Sequence, residues 1–264
     1  MRLFLKLGGS LITDKTAVEA IRRDVLQRLA AEIYQAKTLQ PALELLIGHG
    51  GGSFGHVAAA RYQTRQGVRT AAQWRGFAEV SAAMNRLNTE LINTFLQAGV
   101  PAIRLQPSAS AMCRDGQLVQ LDTTAVLTAL QAGLVPVVHG DVAFDEVRGG
   151  TIISTEEVMD FLVARIRPFW LLLAGETEGV LDDEGRVIPH IHPDNFAQIA
   201  PLLGGSRGTD VTGGMAAKVQ AMVALAGRLP GLQVRIFSGL ESGVVAQVLT
   251  NPETAVGTLI TGSL

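Results

Sequence analysis

The chain is poor in several things at once. Its single cysteine, Cys113, excludes an internal disulfide and any cysteine-built zinc site. Aromatic residues are 5% and charged residues only 17% of 264 positions, against 47% hydrophobic, so a disordered chain and a coiled coil are both excluded. No apolar run approaches the ~20 residues that span a bilayer. There is no basic excess: 22 Lys and Arg stand against 24 Asp and Glu, a net charge of −2 that disfavours nucleic acid and anionic membranes as partners. The chain opens Met-Arg and runs straight into a strand-like segment, so the expected compartment is the cytoplasm. Lysine is the scarcest charge of all. Only Lys6, Lys15, Lys37 and Lys218 occur, and the other basic residues are arginine. A lysine kept beside a glycine-rich loop is therefore a candidate for a compact point charge. Lys6, Lys15 and Lys218 sit in such places; Lys37 reads as an ordinary surface residue.

What the chain does have is glycine, 29 residues, placed at the ends of apolar runs. Strand-like segments at 2–7, 43–48, 101–105, 135–139, 169–174, 233–237 and 258–261 alternate with helical ones at 18–37, 71–98, 123–132, 156–167 and 212–228. Such alternation predicts an α/β fold, an open three-layer αβα sandwich about a mostly parallel sheet. Two segments, 113–122 and 179–190, read as antiparallel ribbons turning at Asp115-Gly116 and Glu184-Gly185. One domain of 264 residues is expected, with lobes over about 1–174 and 175–264.

Ligands bind beyond the carboxyl ends of parallel strands, and three glycine clusters fall there. Gly8-Gly9-Ser10 follows the first run, and Lys6 shares its strand end. Gly48 through Gly55 holds five glycines in eight residues and closes on His56. Gly213-Gly214 opens the 212–228 helix, with Lys218 one turn on from Gly214. Bare amides at such places form anion nests, and a helix start adds its positive end. Neither the Walker A spacing nor the dinucleotide fingerprint is present. The first cluster alone is equally readable as a tight turn, the second exceeds what a turn requires, and the third could be a capped helix but for the scarcity of lysine; together they predict phosphoryl transfer, in which positioning and charge neutralisation do the work. His56 ends a glycine loop and is a candidate phosphate ligand. His49 is open between site and structure, and His139, His190 and His192 read as structural or exposed. Trp74, Phe77, Met84, Leu87, Leu91 and Phe95, at helical spacing, either wall an alkyl pocket or pack on the sheet.

The ordered set KLGGS, GHGGGSFGH, VVHGDV, IIS-x-x-E and DVTGGMAAK resembles the amino acid kinase superfamily over about residues 3–261. Within it, GGGSFGH and LITDK resemble the isopentenyl phosphate kinase branch. The resemblance implies ATP and Mg²⁺, a short alkyl monophosphate such as isopentenyl phosphate as acceptor, and a homodimer. It implies that Lys6 and Lys218 stabilise the moving phosphoryl group and that Lys15 meets the γ-phosphate. His56 would hold the acceptor phosphate, in a pocket shaped by Gly50, Gly51 and Gly55 with Gly140 and Asp141 beside it. Gly8, Gly9, Ser10, Gly51, Glu176, Gly213 and Gly214 would face the nucleotide. No protein-held metal site is expected. Two departures mark the sequence. Glu156-Glu157 stands where paired aspartates are usual, with Glu157 assigned to orient the lysines, and Gly175-Glu176 replaces a Thr-Asp pair. Fosfomycin-type phosphonate kinases, carboxylate kinases acting on acetylglutamate or glutamate, and a nucleotide-sensing module remain alternatives.

Overall fold

A computed structural model describes residues 1–203 and 214–263, and of residues 56–58 and 214 the backbone alone. Strand β1 (Arg2–Leu7) leads into a one-turn helix, α1 (Gly9–Ile12). A small ribbon follows, β2 (Thr13–Asp14) with β3 (Ala20–Ile21), then α2 (Arg23–Leu39), β4 (Glu44–His49) and α3 (His56–Tyr62). The long α4 (Ala71–Gln97) precedes β5 (Ala102–Arg104), β6 (Met112–Arg114) and β7 (Gln117–Gln120). Next come α5 (Thr124–Gln131), β8 (Val135–His139), β9 (Asp141–Asp145) and β10 (Gly149–Ile153). The last part holds α6 (Thr155–Ile166), β11 (Trp170–Gly175), β12 (His190–Ile191), α7 (Pro193–Ile199) and α8 (Gly214–Arg228). It ends with β13 (Gln233–Ser238), α9 (Val244–Thr250) and β14 (Thr258–Ile260).

The main sheet has eight strands in the order β12-β14-β13-β11-β1-β4-β8-β5. Every pairing is parallel except β13 with β14. Side chains alternate across it, as the pleat requires. Leu3, Leu5 and Leu7 face α2, α4 and α9, whereas Phe4 faces α6 and α8. Lys6, two residues on from Phe4, is thereby aimed at the α6 side. The α/β sandwich with a mostly parallel sheet is the fold expected from the alternating pattern. No helix among the described residues is long and apolar enough to cross a membrane.

Three local expectations change. Residues 18–22 are not helical: Thr13 pairs with Ile21, Glu19 takes φ 53°, and the Asp14 carboxylate accepts from the Thr16 amide at 2.8 Å, so a turn occupies the expected first helical turn. The 179–190 ribbon shrinks to one bridge, Leu181 with Val187, because Asp182 takes the amides of Glu184 and Arg186. An unexpected hairpin, β9–β10, joins β6–β7 in a second four-stranded sheet. Asp145 ties the two ribbons by accepting from the amides of Asp115, Gly116, Val147 and Arg148 at 2.6–3.1 Å.

Candidate active site

The first two glycine clusters interlock. Gly8 donates to the Ala174 carbonyl at 2.8 Å and Gly50 to the Leu7 carbonyl at 2.9 Å, so both loops leave the sheet side by side. A Cβ on Gly50 would meet the Gly9 nitrogen at 2.6 Å, and one on Gly9 would collide with the Gly52 nitrogen. Gly51 and Gly55 rest on the Met84 sulfur, where a Cβ would come within 3.0 and 3.2 Å. Much of the glycine content thus serves close approach of backbone to backbone and to Met84. Ser10 lies in α1 directly after this contact.

Lys6 stands at the rim below these loops, between Leu173 and Gly48 on the flanking strands. Its side chain is 11% exposed and ion-paired to Glu156, in the first turn of α6. Burial pushes the Glu156 carboxyl up, but the charge and hydrogen bond of Lys6 and the field of Lys218 outweigh it, leaving it below the usual carboxylate range. Lys218, on the second turn of α8, therefore shares an acid with Lys6. Asp160, one turn along α6 from Glu156, is pushed up to about 6, first by burial and then by Glu156, against the opposing charges of Arg228 and Lys6. A lysine from β1 thus pairs with an acid of α6 that also lies within the field of Lys218 on α8.

The acid paired with Lys6 is Glu156, whereas Glu157 is engaged elsewhere. Glu157 forms a capping box with Ser154, donating its amide to the Ser154 hydroxyl at 3.1 Å and accepting from the Ser154 amide at 2.6 Å. Its carboxylate also takes a two-pronged contact from Arg65, at 2.7 and 2.9 Å. Adjacent helical residues point about 100° apart, so a glutamate committed to the cap and Arg65 cannot also face Lys6. Asp141 and Gly140 are both tied into the fold behind the rim. Asp141 is fully buried and accepts from the Ser108 and Val142 amides; Gly140 donates to the Thr155 hydroxyl at 2.8 Å, and a Cβ there would meet the Thr155 nitrogen at 2.9 Å. Both brace the rim from behind. Glu176 pairs with Arg22 at 2.9 Å. Lys15 is exposed in the turn after β2. Helix α3 begins at His56, directly after the glycine loop, while the His56 side chain lies outside the described residues, as does Gly213; Gly214 opens α8.

Helix α4 divides its apolar face. Leu87, Leu91 and Phe95 pack in the sheet core. Phe77 and Val80 cluster instead with Val68 and with Val142 of β9, and Trp74, Phe77 and Phe144 stack with centroids 5.3–6.0 Å apart. Met84 lies between the two groups, beneath the glycine loop.

The profile described as the amino acid kinase family matches residues 1–238. The chain belongs to the amino acid kinase family. It is 40% identical over 224 residues to the isopentenyl phosphate kinase of Haloferax volcanii, covering 84% of this chain and 87% of that one. Against the isopentenyl phosphate kinase of Methanothermobacter thermautotrophicus it is 33% identical, with 98% and 99% covered. A solved isopentenyl phosphate kinase structure aligns with a TM-score of 0.82 at 30% identity, covering 99% of this chain and 100% of that one. As a kinase of this family the chain takes ATP as donor. Sequence reasoning named Glu156 only as one of a pair and did not single out Asp160 and Arg65. The Ser154-to-Glu157 spacing was the available signal, since it marks Glu157 as a cap; Asp160 was legible as the residue four after Glu156.

Burying Asp160 has a testable consequence. The unfolded carboxyl titrates near 3.8 and the folded one near 6, so between them the folded state holds more protons and stability falls as pH rises. Asp160→Asn is expected to raise the melting temperature at about pH 8 and to leave it unchanged at about pH 2.5, where the wild-type carboxyl is protonated in both states. Melting curves at the two pH values check this; an equal shift at both refutes it.

Proposed function

We propose that this kinase transfers the γ-phosphoryl group of MgATP to isopentenyl phosphate, giving isopentenyl diphosphate and ADP. The observation that carries the reading is the largely buried Lys6–Glu156 pair, within the field of Lys218, at the rim where the glycine loops interlock; kinship with isopentenyl phosphate kinases at 33–40% identity supports the acceptor. An oxygen of the acceptor phosphate attacks Pγ, and the bond from Pγ to the bridging oxygen breaks toward ADP. A phosphate monoester is already largely dianionic at neutral pH, its second pKa being about 6, so no general base is needed. The demand is instead for neutralising charge on the transferring group. Lys6 and Lys218 supply it and Glu156 holds Lys6 in place. The amides of Gly9 and Gly214 and the exposed Lys15 face the nucleotide phosphates, with Gly8, Ser10, Gly213 and Glu176 beside them. His56, with Gly50, Gly51 and Gly55, receives the acceptor phosphate. The prenyl tail lies along Phe77, Val80 and Val142. Mg²⁺ would arrive on the ATP phosphates. A homodimer in the cytoplasm, with acceptor and nucleotide lobes meeting near residue 175, completes the proposal; sedimentation tests the dimer.

An acceptor panel with MgATP decides among the phosphate, phosphonate and carboxylate readings. Turnover of isopentenyl phosphate at a kcat/KM well above that for fosfomycin and acetylglutamate is expected. ATP binding with no transfer to any acceptor would favour a sensing module. His56→Ala is expected to lower kcat/KM for the acceptor by ~10²-fold, the scale of one charge-assisted contact to a reacting anion. Steady-state kinetics check it, and near-normal activity removes His56 from the site.

A further inference from the structure

Two histidines end neighbouring parallel strands at the same level. His49 closes β4, His139 closes β8, and they pair in register with ring centroids 5.3 Å apart. Both are fully buried. Each ring points its Nδ1 at the carbonyl of the residue that follows it, Gly50 at 3.1 Å and Gly140 at 2.8 Å.

The proton on His49 is fixed by a chain of donors that starts at an arginine. Arg104 Nε can only donate, and it reaches the Asn88 Oδ1 at 2.7 Å. Asn88 therefore turns its NH₂ toward His49 Nε2, 2.9 Å away, and that nitrogen must accept. The single proton of a neutral imidazole then sits on Nδ1, which donates to the Gly50 carbonyl. Burial, followed by the charge of His139, pulls the His49 ring down to about 3, so it is neutral at working pH. The groups facing it are His139 from β8, Arg104 from β5, Asn88 from α4 and Thr155 from α6, with Asp141 of β9 beyond His139.

In a trans peptide the carbonyl and the amide point in opposite directions. With the Gly50 carbonyl drawn inward to His49, the Gly51 N–H points away from the ring, and no acceptor among the described residues takes it. We propose that His49 is a positioning residue for the acceptor phosphate: its Nδ1–H holds the Gly50–Gly51 peptide in the orientation that offers the Gly51 amide to the phosphate. The inference rests on the reading that this loop receives the acceptor. The order from Arg104 to Asn88 to His49 to Gly50 carries a preset hydrogen-bond direction from the edge strand to the glycine loop.

His49→Asn keeps an N–H close to where Nδ1 stands, whereas His49→Leu fills similar space without a donor. His49→Leu is expected to raise KM for the acceptor about tenfold, the scale of one hydrogen bond to a charged group, with KM for ATP unchanged. His49→Asn is expected to stay within about threefold of wild type, which a packing role would not give. Equal losses in the two variants, or a neutral leucine, overturn the proposal. If the leucine variant does not fold, Asn88→Asp provides the reading. A carboxylate there accepts from Nε2, so the ring keeps its Nδ1 proton only as an imidazolium. Acceptor KM should then climb with pH in Asn88→Asp and stay flat in wild type; a flat profile in the variant overturns the assignment. Failure of the wild type on isopentenyl phosphate alone refutes the proposed acceptor, and the variants are then read on whichever acceptor of the panel is phosphorylated. Turnover of none refutes both.

Discussion

Lys6→Met is expected to lower kcat by about 10³-fold while leaving KM for both substrates within a few-fold, the pattern of a group that acts mainly in the transition state. Methionine keeps the side chain's length and apolar stem, so the strand stays packed between Leu173 and Gly48. What it removes is a largely buried ammonium held by Glu156 at the strand rim. Charge spread over a transferring phosphoryl group grows most where the low local dielectric makes a fixed cation most effective. Lys6→Arg is expected to fail nearly as badly: the guanidinium is planar, larger, and suited to two-pronged pairing, whereas this position presents one compact charge to both Glu156 and the phosphate. Coupled detection of ADP with saturating isopentenyl phosphate checks both variants. A kcat within threefold of wild type for Lys6→Met would remove Lys6 from the chemistry. The same substitution strips Glu156 and Asp160 of a shared counter-charge, so whatever activity remains should depend on pH more steeply than in wild type.

The parts of the fold readable from sequence are those with one dominant signal. The runs that became β1, β4, β8 and β11 are nearly continuous in apolar residues because strands of a covered parallel sheet are buried on both faces. The β6–β7 ribbon was legible from Asp115-Gly116, which take the positive φ values of 49° and 81° that its tight turn needs. The β9–β10 hairpin was not. Its turn is organised by one side chain, Asp145, rather than by a turn dipeptide, and its strands have too little alternation to stand out. In the site, the gathering of glycine loops and lysines at one rim follows from strand ends and could be read early. The choice between Glu156 and Glu157 depends on helix phase, and phase is set by where the Ser154 cap begins the helix. The glycine loop carried two signals at once. Ligand approach was the expected one; the contact of Gly9 with Gly50 and Gly52 adds a packing requirement that only the third dimension reveals. Asp141 looked like a rim acid because its partner amide, on Ser108, is distant in sequence.

Far from the chemistry, Glu32→Ala is expected to cost about 3–5 kcal/mol of stability and to lower the melting temperature by about 10 °C. Glu32 is a carboxylate buried in the middle of α2, and it joins that helix to the start of α9. It accepts from Arg28 at 2.6 Å, from the Gly243 amide at 3.0 Å and from the Ala246 amide at 3.2 Å, the latter two at the start of α9. Arg28 in turn donates to the carbonyls of Gly239 and Glu241, in the segment that leads from β13 to α9. A single acid thus closes the start of α9 onto α2 and balances the arginine, Arg28, that clamps this connection. Alanine leaves two amides without their acceptor and a partly buried guanidinium without its counter-charge, and each of these carries a separate desolvation cost. Glu32→Gln retains one oxygen acceptor and is expected to lose less than half as much, which separates the hydrogen-bond share from the charge share. Urea denaturation of the three proteins measures both differences. A loss below about 1 kcal/mol for the alanine variant would mean that water replaces the carboxylate at the α9 start, and that the α2–α9 packing of Leu29, Ile33, Val245 and Leu249 holds that junction unaided.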